Sequence, residues 1–322
     1  MMIKISNVSN ALILVFFILF YDCMTMEYEF DLKKENTSII VLGTIQDAGS
    51  PHIACKKECC NGLFENPDNS RQVVSLGLYD AMSGKKYLFE ATPDITQQMK
   101  YLSEYGDQTD KEVPNGIFLT HAHIGHYTGL MYLGKEAMSA NKVPVYAMPK
   151  MKKYLETNGP WSQLVSEKNI EIVGIVDGVE VILSEELSVT PLLVPHRDEY
   201  SETVGYRIEG PNKSALFIPD IDKWEKWDLD IIAEVKKVDY AFLDATFYDG
   251  AELNNRDMSE IPHPFVVESM NKFESLNSVE KEKIIFIHFN HTNPIIDSTS
   301  EEARKVIENG FRIAKIYDVY EL

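Results

Sequence analysis

Gly116-Ile-Phe-Leu-Thr-His121-Ala-His123-Ile-Gly-His126 sets three imidazoles directly after an apolar run. The run reads as a buried strand that ends in a loop. Neutral imidazole is the commonest protein ligand for zinc and iron, and a strand-end loop can aim His121 and His123 at one point while His126 opens the next helix. Histidines on the surface or satisfied in a core are the ordinary alternative for any one of these residues. Three at this spacing point to a metal site.

The chain has only eight histidines, and others end similar segments. His196 closes Ser188-Val-Thr-Pro-Leu-Leu-Val-Pro-His196, His288 closes Lys283-Ile-Ile-Phe-Ile-His288, and Asp220 closes Ala215-Leu-Phe-Ile-Pro-Asp220. Strand ends that share one rim of a sheet would deliver all of these groups to one place.

Around that centre, residues 39–43 read as a first strand, and 72–79 with 86–90 as a hairpin turned at Ser83-Gly84. Residues 95–105 read as a helix with Ile95, Met99 and Leu102 on one face, introduced by Pro93 and Asp94. A strand at 144–148 and helices at 149–155 and 161–166 follow. Residues 172–193 read as antiparallel strands turning at Asp177-Gly178. The second half continues with strands at 204–208 and 215–218, a helix at 224–235, a strand at 240–244, helices at 264–273 and 298–308, and a final strand at 311–317. Two strand-rich halves with outer helices give an α+β fold, a four-layer sandwich of helices over a pair of sheets.

At 322 residues and 44% hydrophobic content the chain suits one large domain, and no linker divides it. A net charge of −19 argues against a polyanionic partner, so nucleic-acid binding and nuclease activity are disfavoured. A small-molecule substrate is expected instead. The apolar run at 11–21 is too short to span a bilayer comfortably, so residues 1–22 read as an export signal, with periplasmic or secreted localisation and no stable membrane insertion after cleavage. Lipidation of Cys23 is the weaker alternative, because Phe20, Tyr21 and Asp22 are bulky or charged where small residues are preferred.

Cys55-Lys-Lys-Glu-Cys59-Cys60 can chelate zinc, three thiolates leaving one tetrahedral position open. A disulfide is the alternative, but three cysteines leave one unpaired and adjacent Cys59 and Cys60 bridge poorly. Structural zinc is therefore expected. His52 is a spare candidate ligand.

Longer motifs carry a resemblance: Val41-Leu-Gly-Thr-Ile-Gln-Asp-Ala-Gly-Ser-Pro51, Phe89-Glu-Ala-Thr-Pro-Asp-Ile-Thr-Gln-Gln98, Phe242-Leu-Asp-Ala-Thr-Phe247 and His288-Phe-Asn-His-Thr-Asn-Pro294. With the His-x-His-x-x-His segment, they make the chain resemble the metallo-β-lactamase fold, in the branch of pyrroloquinoline quinone biosynthesis protein B and the related cyclic-phosphate phosphodiesterases. The resemblance runs from about residue 39 to 320, and implies a single domain over 38–322.

It also implies His121, His123 and His196 around a first metal, His126 and His288 around a second, and Asp220 bridging. Gly125 stands where the superfamily usually has an aspartate, which weakens or alters the second site. His291 would complete the zinc site of Cys55, Cys59 and Cys60, although the cysteine spacing departs from the branch. His263 resembles the general acid of the phosphodiesterases, and Asp244 reads as support to a ligand or as an ordinary strand-end acid. The expected reaction is hydrolysis of a phosphodiester, ester or lactone, with one or two active-site zinc ions lowering the pKa of bound water. Iron or manganese stays open, as does an iron- and oxygen-dependent hydroxylase of quinone biosynthesis or a non-catalytic metal or cofactor carrier. The pocket is assigned to loops at 47–62, Trp161 and 254–264, and a homodimer stays open.

Overall fold

In β1 (Ser38–Gly43) Ile39 and Val41 point to one side, Ile40 and Leu42 to the other, and all four are fully buried. A strand buried on both faces must lie inside a stack of layers. The computed structural model, which describes residues 36–106, 112–253 and 257–322, shows which layers these are. The expected export signal at 1–22, Cys23, and residues 254–256 of the expected pocket loop lie outside the described residues.

Residues 37–322 form one compact unit. Its first sheet holds β1, β2 (Ser75–Asp80), β3 (Lys85–Phe89), β4 (Gly116–Phe118), β5 (Val143–Ala147) and β6 (Ile170–Gly174). The second sheet holds β7 (Val181–Ile182), β8 (Ser188–Leu193), β9 (Val204–Glu209), β10 (Ser214–Ile218), β11 (Tyr240–Asp244), β12 (Ile284–Ile287) and β13 (Arg312–Ile313). Then β14 (Val319–Glu321) returns to the first sheet and pairs antiparallel with β1. The spatial orders are β14-β1-β2-β3-β4-β5-β6 and β13-β12-β11-β10-β9-β8-β7.

Three separate hydrophobic clusters fill three interlayer spaces. Ile39, Val41, Phe89 and Phe118 of the first sheet meet Tyr206, Phe217, Phe242 and Ile285 of the second. The other face of the first sheet, with Ile40, Leu88 and Ile117, packs on α1 (Ile95–Leu102), α2 (Ile124–Tyr127), α3 (Pro149–Thr157) and α4 (Trp161–Ser166) through Met99, Tyr127, Leu155 and Trp161. The outer face of the second sheet, with Leu216, Leu243 and Phe286, packs on α5 (Ile231–Lys236), α6 (Val266–Lys272) and α8 (Glu301–Glu308) through Val235, Val266 and Val306. Three apolar interfaces separate four layers, so the αββα sandwich read from the sequence is the fold. The short α7 (Ser278–Glu282) lies before β12 and carries no buried residue.

Several sequence assignments need correction. Residues 172–193 are not one antiparallel pair, because β6 lies parallel to β5 in the first sheet while β7 and β8 pair in the second. Asp177-Gly178 is part of the crossover between sheets. Of the single strand expected at 311–317 only Arg312–Ile313 is strand, as β13 parallel to β12, and the chain then crosses to β14, which begins beyond it at Val319 in the other sheet. The helix expected at 224–235 is a 3-10 turn at Trp224–Lys226 followed by α5, whose N-cap Asp230 accepts from the backbone of Ile232.

Strand directions position the site. β3 and β4 run parallel, as do β10, β11 and β12, and β9 runs antiparallel to both β8 and β10. The carboxyl ends of β8, β10, β11 and β12 therefore share one edge of the second sheet.

Candidate metal centre

Asp220, just past β10, lies at the middle of a ring of imidazoles. His196 Nε2 is 3.2 Å from its Oδ1, and His121 Nε2 is 3.3 Å from its Oδ2. His126 Nε2 at 3.8 Å, His123 Nδ1 at 4.0 Å and His288 Nε2 at 4.0 Å also face Oδ2. Two ligands held at about 2.1 Å by one tetrahedral zinc stand about 3.4 Å apart, so this spacing suits donors that share an ion. The hydrogen-bond inventory agrees: both ring nitrogens of His126 and of His196, Nε2 of His288 and Oδ1 of Asp220 are buried without a hydrogen-bond partner. Each imidazole carries at least one N–H, but so many unpaired polar atoms in one dry spot would still be costly unless a cation satisfied the acceptors among them. The donors fall into two overlapping sets, His121, His123, His196 and Asp220, and His126, His288 and Asp220.

Two buried acids hold the imidazoles in the tautomers that metal binding needs. Thr120 Oγ1 donates to Glu90 Oε1 at 2.5 Å, which leaves its lone pairs for the Nδ1–H of His121 at 2.9 Å. His121 Nε2 is thereby left as an acceptor toward the centre. Thr246 Oγ1 likewise donates to Asp244 Oδ1 at 2.7 Å and meets His288 Nδ1 at 2.8 Å. Glu90 and His288 both take left-handed backbone, with φ of 76° and 68°. Such conformations in non-glycine residues concentrate at functional sites. His123 differs, turning Nδ1 to the centre and Nε2 to Glu199 Oε2 at 3.5 Å.

The electrostatics follow from burial and these acids. Burial drives His121 well below the usual histidine value and lowers His123 as well. At His126 burial acts in the same direction, but Glu90, with Oε1 3.2 Å from Nδ1, outweighs it and raises the group to about 9. His263 is raised to about 10, against its burial, by Asp244 and Asp220, which lie 3.0 and 3.2 Å from its Nδ1. The same imidazoles, led by His196 and His263, hold Asp220 well below the carboxylate range despite its burial.

A second cluster joins Cys55, Cys59, Cys60 and His291. His291 Nδ1 is 3.4 Å from both Cys59 Sγ and Cys60 Sγ, and the two sulfurs are 4.0 Å apart. All three thiols are free rather than bridged. The separations suit ligands at about 2.3 Å (sulfur) and 2.1 Å (nitrogen) from one tetrahedral ion. Burial and the neighbouring Cys60 push the Cys59 thiol up to about 12, while burial draws His291 down to about 4. His52 stands outside this group: its Nδ1 bonds Ile53 O at 2.8 Å and its ring packs against His291.

The fold brings His121, His123, His196 and Asp220 together, and His126 and His288 with the same Asp220, while Asp244 and His263 form a further group with it. Sequence reading did not assign Glu90, Thr120 or Thr246. Glu90 carried a signal all the same, as a lone acid closing the apolar strand Tyr87-Leu-Phe89 within a quoted motif.

Residues 85–289 match the beta-lactamase superfamily domain. Over 311 residues the chain is 24% identical to coenzyme PQQ synthesis protein B of Methylococcus capsulatus, covering 88% of this chain and 99% of that protein. The structure of Zn(2+)-bound PqqB from Methylobacterium extorquens superposes with a TM-score of 0.73 at 20% identity, over 88% of this chain and 100% of that one. A diphosphatase from the PhnP family gives 0.64 at 22% identity, over 89% and 97%. Together with the donor clusters, these similarities support a metal cofactor.

Proposed function

The chain belongs to the beta-lactamase superfamily domain family, and from that premise we propose that it is a metal-dependent hydrolase acting on a phosphodiester, ester or lactone. The observation that carries the reading is the ring of buried, unpartnered imidazole nitrogens around Asp220. His121, His123, His196 and Asp220 would hold one zinc, and His126, His288 and Asp220 a second. Cys55, Cys59, Cys60 and His291 would hold a structural zinc. A cation at the centre supplies Lewis acidity and lowers the pKa of a water beside it.

The protein's own groups divide the remaining work. Asp220, kept ionised, would hold the cations and orient the attacking water, whose proton leaves to bulk solvent. His263, kept protonated by two carboxylates on its Nδ1 side, offers its other N–H to the leaving oxygen. Water adds to the carbonyl or phosphoryl centre, the bond to the leaving oxygen breaks, and that oxygen takes its proton from His263. The surface charge supports a small substrate over a nucleic acid, and the apolar run at 11–21 supports export.

The test is elemental analysis of anaerobically purified protein with a screen of generic ester, lactone and phosphodiester substrates. Zinc or another redox-inert metal with hydrolysis is the expected result. His121→Ala or His196→Ala should remove active-site metal and abolish turnover, and equal activity in either variant would sink the assignment. Cys55→Ala should lower the unfolding temperature and leave the imidazole-held metal in place. Similarity to coenzyme PQQ synthesis protein B over nearly its whole length supports a second reading, a part in quinone cofactor synthesis, for which an iron- and oxygen-dependent hydroxylase is the alternative chemistry. Iron with oxygen consumption on a peptide would select it. A full metal complement without turnover would indicate a carrier.

A further inference from the structure

The second cation position is one carboxylate short by sequence, because position 125 is glycine. The structure shows why it must be. A Cβ built on Gly125 would lie 1.9 Å from Asp47 Cβ, 2.2 Å from Asp47 Cα and 2.9 Å from Asp47 O. No side chain fits there while the turn after β1 holds its place, and Asp47 puts its own Cβ where an aspartate at 125 would begin. We propose that Asp47 supplies the carboxylate that position 125 lacks, serving as a ligand at the second cation position beside His126, His288 and Asp220.

The turn is fixed where this role requires. Phe289 N donates to Thr44 O at 2.8 Å and Gln46 N donates to Phe289 O at 2.8 Å, so residues 44–46 are stitched to the residue directly after His288. Ile45 bridges Val73 on one side and Phe289 on the other. Gly49 N returns to Gln46 O at 2.9 Å, closing the turn over Asp47. Asp47 therefore lies against Gly125, the residue before His126, on a turn tied through residues 44–46 to Phe289, the residue after His288. Those imidazoles present buried Nε2 atoms with no hydrogen-bond partner.

Charge points the same way. A divalent ion held by two neutral imidazoles and a shared carboxylate keeps excess positive charge, which a second carboxylate would neutralise. In the rotamer seen, the Asp47 oxygens stand outside the set formed by His126, Asp220 and His288, and Oδ1 accepts from the neighbouring Gln46 side-chain amide. Engaging the cation requires rotation about Cα–Cβ and release of that amide.

This inference rests on the reading of the centre as a two-cation hydrolase site, and metal counting tests the two separately. The isosteric variant Asp47→Asn in the full chain removes the charge and keeps the volume. Elemental analysis after dialysis against zinc, with calorimetric titration of zinc into metal-free protein, should show the second imidazole-held equivalent lost or weakened by roughly 10–100-fold or more. The first equivalent, the cysteine-held equivalent and the unfolding temperature of the metal-free protein should not change. Gly125→Ala, which displaces the turn with Asp47 intact, should lose the same equivalent. Two imidazole-held cations bound with wild-type affinity by Asp47→Asn would overturn the assignment, and so would a wild type holding a single cation there. The first result leaves the two-cation reading standing, the second removes its second cation but not the hydrolase reading at the first, and a wild type with no imidazole-held cation would sink both.

Discussion

In the first half of the molecule a buried acid at the end of β3, Glu90, holds His121 through Thr120 and faces His126 directly. In the second half a buried acid at the end of β11, Asp244, holds His288 through Thr246 and faces His263 directly. The parts correspond: an acid, a threonine relay, one imidazole reached through the hydroxyl and one touched by the carboxylate, across a parallel strand pair each time. They differ at the directly touched imidazole. The His126 side chain is 0% exposed and that of His263 is 13% exposed. A fully enclosed imidazole can serve only an ion beside it, while one that reaches solvent can hand a proton to a substrate. One construction thus leaves one imidazole fully enclosed and the other partly open to solvent, and under the function proposed above the first would serve as a ligand and the second as an acid.

Three experiments can break or sharpen this pairing. The largest effect should come from Glu90→Ala, which leaves two enclosed imidazoles without their acid. Removing one partner of a buried ion pair costs roughly 3–5 kcal/mol, measurable by denaturant unfolding of the metal-free protein, and metal binding should fall with it. A loss within the error of a surface substitution would deny Glu90 its role.

The next effect is a pH dependence that the two halves share. In the metal-free protein His126 and His263 have folded-state values of about 9 and about 10, above the unfolded histidine value near 6.5. Their contribution to stability is fully present below about pH 6.5 and is lost as pH rises through 9 and 10. Glu90→Gln should flatten the portion belonging to His126, and Asp244→Asn the portion belonging to His263. Unfolding curves of wild type and both variants across this range provide the check, and an unchanged slope in either variant would contradict the assignment.

The smallest effects are expected for Thr120→Val and Thr246→Val, which keep shape and remove one hydroxyl from each relay. Each should weaken metal binding roughly 10–100-fold and cost about 1–3 kcal/mol through the polar groups left unpaired. If the halves are equivalent, competition with a chelator should show similar losses for both variants. A loss confined to one would show that only that relay sets a tautomer.

How much of this could be read in advance depended on whether the signal was local. His121, His196, His288 and Asp220 each follow a β-branched run, so both residue type and position were legible. Strand alternation gave the layers, because Ile39 to Leu42 can be buried on both faces only inside a stack. Sheet membership was not legible for β6, β7, β13 and β14, since periodicity says nothing of which neighbour a strand pairs with and two of these strands have only two residues. The relays stayed hidden for a related reason. Thr120 and Thr246 look like ordinary strand-end threonines until the fold brings Glu90 and Asp244 against them.

The contact between Gly125 and the turn after β1 also bears on how this position can vary. With Asp47 Cα only 2.2 Å from where a Cβ at 125 would stand, the two segments compete for one volume. A chain carrying aspartate at 125 must seat its β1 turn farther away, and one carrying glycine leaves the berth to the turn. The identity of this single residue therefore serves as a marker for the path of a loop almost eighty positions upstream, and any graft of one segment between relatives has to carry the other with it.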